Sequence, residues 1–94
     1  MTKQEKAKKI VAVAETKYKL AVMSYNNRIF SDAYFYIDEL LKALDLIVYV
    51  ENKNDIYQED YARAMKLYNS AIALKKELKR TRIEQIRDSA KLAK

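Results

Sequence analysis

Ninety-four residues without one glycine or proline leave few folds open. Sheets and tight turns draw on glycine for positive φ and on proline for fixed φ. A chain with neither, and rich in Ala, Leu, Lys and Glu, reads as a few long helices joined by short polar turns. Leu, Ile, Val and Phe together number 24, enough for one modest core and too many for a disordered chain. The expected fold is all-α: an up-down-up three-helix bundle in one helical domain, 1–94, with a long C-terminal helix.

Apolar spacing places the helices. Ala7, Val11, Ala14, Tyr18, Ala21 and Tyr25 step by four and three, which predicts a first helix over about 3–26. Asn26-Asn27 is the expected stop, since Asn tolerates the left-handed backbone that ends helices. Ser31 or Asp32 is the expected cap of a second helix over about 32–52. On that helix Asp38, Glu39, Lys42 and Asp45 share an arc of about 120°. The apolar residues Ala33, Ile37, Leu40, Leu41, Leu44, Ile47, Val48 and Val50 fill most of the rest. So wide an apolar arc needs a neighbour on each side, which makes the second helix central.

Asn52 to Asp55 reads as a turn, and Asp55 with Gln58 matches a capping box for a third helix from Ile56. That helix carries a double stripe. Ala64, Leu67, Ala71, Leu74 and Leu78 form one half; Tyr57, Tyr61, Met65, Tyr68 and Ile72 form the other. Ile83, Ile86, Ala90 and Ala93 continue the second half in phase, which favours one helix running on. Thr81 with Glu84 is a second capping-box match, so a short fourth helix from about residue 82 is the alternative. Either way 80–94 is a protruding or folded-back extension whose apolar stripe needs a cover. Ile83, Ile86, Ala90 and Ala93 are therefore the candidate docking residues, for a protein partner or for self-association through the C-terminal helix.

The spacing Tyr61-x-x-Ala64-x-x-x-Tyr68-x-x-Ala71-Ile72 resembles the second helix of a tetratricopeptide repeat, and helices of MIT-type three-helix modules. It covers twelve residues. Small Ala and flat Tyr let helices approach closely, and the likeness implies helix packing and no function. The other tyrosines divide in two: Tyr18 and Tyr25 belong to the seam of the first helix, while Tyr34, Tyr36 and Tyr49 are open to contact roles.

Function classes narrow by exclusion. No Cys and no His remove thiolate and imidazole chemistry, and no Gly-rich phosphate loop is present. Only carboxylates remain as ligands or acid–base groups. Asp38, Glu39 and Asp45, like Asp55 and Glu59, fit solvated faces and a helix first turn, where acids complement the dipole. No enzyme activity, no metal and no cofactor are expected. No signal-like apolar segment follows the N-terminal lysines, and the longest apolar run, 46–50, is too short to span a bilayer. A cytoplasmic location is the corresponding expectation.

Charge is segregated along the chain. Residues 1–28 carry net +5, 29–74 net −4 and 75–94 net +5, which gives the overall +6. Basic ends flanking an acidic middle suggest an anionic partner. Lysines and arginines on exposed helix suit phosphate contact, which makes few geometric demands. The candidates for contact with DNA or RNA are Lys75, Lys76, Lys79, Arg80, Arg82, Arg87 and Lys91, with Lys3, Lys6, Lys8 and Lys9 at the other end. The expected function is that of a small basic accessory or adaptor subunit. It would dock on a protein partner and touch nucleic acid through its ends, as in a replication, transcription or packaging complex. The alternative is a pure protein-interaction module, such as an inhibitor, an immunity protein or a helix-binding adaptor.

Overall fold

A computed structural model describes the backbone of residues 2–92 and the side chains of 2–81. Three helices run up, down and up: α1 (Lys3–Asn26), α2 (Phe30–Val48) and α3 (Gln58–Leu92). The α1–α2 contact is the most extensive and α1–α3 the least, so α2 is the central element, as its wide apolar arc requires. The molecule is a rod about 59 Å long.

Helix α1 starts at Thr2, whose hydroxyl accepts from the Glu5 N–H at 3.1 Å. It buries Ala7, Val11, Ala14 and Ala21, with Tyr18 and Tyr25 packed at the rim. Its end differs from expectation in one residue. Asn27 has φ −88°, and the left-handed position falls on Arg28, at φ 62°. Ile29 N–H donates to the Ser24 carbonyl at 2.8 Å, and Arg28 N–H to the Tyr25 carbonyl at 3.0 Å. These are the two bonds of a Schellman closure, with Arg28 where glycine is usual.

That closure runs straight into α2. Ile29 is the N-cap and provides no side-chain cap bond, so neither Ser31 nor Asp32 serves as the cap. The short turn is held instead by backbone bonds and by the edge-on Tyr25–Phe30 ring pair, centroids 5.8 Å apart. Helix α2 buries Ala33, Ile37, Leu40, Leu44 and Ile47. It ends at Val48 rather than near 52. The Asn52 side chain accepts from the Asn54 N–H at 3.0 Å and turns the chain into a short 3-10 turn, Lys53–Asp55.

The expected start of α3 at Ile56, with an Asp55–Gln58 capping box, is also displaced. Ile56 is extended (φ −134°, ψ 133°) and buried. Putting that side chain into the core keeps the backbone out of helix until Gln58. Asp55 instead forms an ion pair with Lys3 at 3.5 Å. Helix α3 then buries Ala64, Leu67, Ala71 and Leu78, while the Tyr61, Met65, Tyr68 and Ile72 half-stripe is only partly covered. Tyr57, expected on that half-stripe, lies before the helix and is exposed.

Helix α3 runs unbroken from Gln58 to Leu92, so the fourth helix from about 82 is not formed. The Thr81 hydroxyl donates to the Glu77 carbonyl at 3.0 Å, the back-bond of a residue inside a helix. At 1.5 Å per residue α3 is about 52 Å long against about 28 Å for α2.

Candidate interaction surfaces

Ion pairs between helices fix their relative levels. Lys17 meets Glu39 at 3.3 Å across α1–α2, and Lys75 meets Asp38 at 3.1 Å across α2–α3. Lys3–Asp55 and Glu15–Arg63 join α1 to the start of α3. Helices α1 and α3 are therefore parallel and offset by about 50 positions. Lys6 lies near the start of α3 and Lys79 toward its far end. The two basic clusters sit about 35 Å apart along the rod by that offset. They form no common patch.

Within each cluster, part of the charge is already matched. Lys3 and Lys75 hold carboxylates, and Arg80 hydrogen-bonds Glu77 at 3.1 Å. Lys6, Lys8 and Lys9 are exposed at one end, Lys76 and Lys79 at the other. The side chains of Arg82, Arg87 and Lys91, and of the docking candidates Ile83, Ile86, Ala90 and Ala93, lie outside the described residues. Among the described residues no three acidic side chains converge as a metal site would require. Nor is any described helix long and apolar enough to cross a membrane.

The α1–α3 groove carries a polar lock that the sequence did not reveal. Asp60, in the first turn of α3, is 4% exposed. Its carboxylate accepts from Arg63 Nη1 at 3.4 Å, and Arg63 also reaches Glu15 on α1. The helix N-terminus adds a favourable field for the buried acid. Among the described residues no buried side-chain polar atom lacks a partner. Next to the lock, Glu15, Tyr18, Arg63 and Ser70 line a cleft of about 330 Å³.

On the α2–α3 side the tyrosines are rim residues. Tyr34 and Tyr36, open to contact roles in the sequence, pack against the core, whereas Tyr49 stands 69% exposed. The Tyr49 hydroxyl beside Tyr68 pushes the Tyr68 phenol above its ordinary value of 10.0, with partial burial and Asp45 acting in the same direction. Lys53 Nζ sits 5.9 Å from the centre of the Tyr61 ring.

The α1–α2 face is the least expected surface. Val13 and Leu20 of α1 and Phe35 and Leu46 of α2 are exposed, Phe35 at 60% and Leu46 at 67%. At 100° per residue, Val13 and Leu20 lie about 20° apart, with Lys17 about 40° from Val13. On α2, Phe35, Glu39, Lys42 and Leu46 step by four, three and four along one stripe. The Lys17–Glu39 bridge joins the two stripes, placing Leu20 close to the level of Phe35 and Ile10 at that of Leu46. Leu46, Lys6 and Ile10 line one apolar cleft of about 210 Å³, as that register demands. The strip was readable in the sequence. Phe35 and Leu46 interrupt the charged arc of the second helix at helical spacing, and the same stepping rule that found the core finds them.

No described protein family, curated protein or solved structure matches the chain. Function is therefore read from these surfaces alone.

Proposed function

We propose that this chain is a non-enzymatic helical interaction module whose α1–α2 face docks on a polypeptide partner. The observation that carries the reading is the exposed strip Val13, Leu20, Phe35 and Leu46 around the Lys17–Glu39 bridge. Four large apolar side chains on one side of so small a fold exceed what a solvated surface needs. They also lie on rigid helix, with Ile37, Leu40 and Leu44 fully buried behind them. A face of this kind meets another helical or apolar surface without refolding.

Nucleic-acid contact is the second reading. It is favoured by the exposed Lys76 and Lys79 on one side of α3, beside Arg80. On this reading that end alone meets phosphate, since the two basic ends are far apart. The module would then be an adaptor, with protein on its flank and a polyanion at its tip.

Cross-linking of the full chain in its native extract, followed by mass spectrometry, tests the first reading. Partner cross-links should map to α1 and α2 and vanish in Phe35→Glu and Leu46→Glu chains that keep full helicity. Cross-links that persist in those variants would remove the face from the account. The second reading requires DNA or RNA binding that weakens steeply with salt and falls in Lys76→Glu/Lys79→Glu. No binding at low salt eliminates it.

A further inference from the structure

We infer that the partner seated on the α1–α2 face is a second copy of this chain. The inference rests on the reading of that face as a docking surface and goes on to name what occupies it.

The face has two unlike halves. The α1 half offers Lys6, Lys9 and Lys17; of the two acids of α1, Glu15 is turned toward Arg63 on α3 and Glu5 lies about 80° round the helix from Val13. The α2 half offers Asp32 and Glu39, with Lys42 at its outer edge. The apolar side chains Val13, Leu20, Phe35 and Leu46 lie between and around these charges. A polyanion would meet the carboxylates, and a partner of one charge sign would match only one half. A surface with a cationic half beside an anionic half is complementary to itself.

The geometry selects one arrangement. A two-fold axis parallel to the helices, running between α1 and α2, lays α1 of one copy over α2 of the other. The helices so stacked are antiparallel, with opposed dipoles. Residues at one level stay at one level. Lys17 then faces Glu39 of the other copy, because the two are level within each chain. By the same register Leu20 meets Phe35 of the other copy, and Ile10 with Val13 meets Leu46. The alternative two-fold axis, perpendicular to the helices in the plane of the face, stacks α1 on α1. It sets lysines against lysines. The area is adequate as well. Two helix widths by the length of α2 cover roughly 560 Å² per copy, and about 1,100 Å² in total clears the roughly 1,000 Å² that a biological interface needs, at the small, reversible end of the range.

Sedimentation equilibrium of the full chain over about two decades of concentration reads the result directly. The unaltered chain should be a monomer–dimer system. Phe35→Glu and Leu46→Glu, both at exposed positions, should each weaken the dimer at least about tenfold with unchanged circular dichroism. Lys17→Glu and Glu39→Lys should each weaken it, and the double reversal should restore it. Because the chain has no cysteine, geometry can be tested by disulfide trapping. A Leu20→Cys chain mixed with a Phe35→Cys chain should give the mixed disulfide.

A monomer throughout overturns the inference; if the Glu variants still lose cross-links to a different, identified protein, the docking reading survives. A dimer indifferent to Phe35→Glu and Leu46→Glu places self-association elsewhere and also overturns it. Predominant disulfide of the Leu20→Cys chain with itself overturns the proposed axis.

Discussion

Two grooves of the same bundle are built on opposite plans. Along α1–α3 the contact is slight, and it is held by charge: Asp60 buried, Arg63 across it, Glu15 completing the chain. Along α1–α2 the contact is extensive, yet Val13, Leu20, Phe35 and Leu46 stand outside it. A weakly packed groove gains orientation from a buried acid that accepts only particular partners. A strongly packed groove needs no such device, so its outer edge is available for apolar side chains that the core does not use. The difference separates residues that specify the fold from residues that serve something beyond it.

The largest effect should come from setting core against face on one helix. Leu40→Ala empties a fully buried site of α2 and should destabilise by about 2–5 kcal/mol. Leu46→Ala, on the exposed face of the same helix about 120° round from Leu40, should stay within about 0.5 kcal/mol in the monomer. Urea unfolding of both at low concentration checks the pair. Equal losses would mean that Leu46 belongs to the core, and the comparison would collapse.

Next is the polar lock. Asp60→Ala removes a buried acceptor and the helix N-terminal charge, and a loss of about 1–3 kcal/mol is expected. Arg63→Ala should also destabilise, because it leaves the Asp60 carboxylate buried without its guanidinium. A neutral Asp60→Ala would show that the α1–α3 groove is held by packing like its neighbour. The same urea midpoints report both variants.

The smallest effect concerns the tyrosine rim between α2 and α3. The raised Tyr68 value means that the folded state keeps the phenolic proton at a pH where the unfolded chain loses it. The associated stability is complete below about pH 10 and fades as pH rises through the folded value. Tyr49→Phe removes the main cause. Tyr68 should then titrate closer to the ordinary phenol, read as an earlier rise of tyrosinate absorbance, and the alkaline fall in stability above about pH 10 should become smaller. An unchanged titration would assign the shift to burial and Asp45.

Periodicity carried most of the fold. The seam of α1 and the arc of α2 were legible because residues three and four apart share a helix face whatever the neighbours are. Helix ends were less so. Helix α2 ended at Val48, ahead of the Asn52 turn, Ile56 delayed α3, and Arg28 took the position expected of Asn. Each outcome was decided by a tertiary demand or by a local bond competing with an equally plausible one. Asp60 was illegible because an acid in a helix first turn reads the same whether solvated or buried. Burial was decided by α1, a helix some fifty residues earlier in sequence that the fold lays alongside. The basic ends were visible as charge, but their separation along the rod depends on α1 and α3 being parallel.

The Arg28 turn has a consequence for the unfolded chain. A protein with no glycine has no freely swivelling joint, so each residue has less backbone freedom to lose on folding. Arg28, the one left-handed residue among the described residues, is where that economy is offset, at about 1–2 kcal/mol of local strain. The disfavoured geometry is confined to one residue of one turn. That turn also sets how α1 is laid against α2, and hence whether Lys17 and Glu39 come level at all.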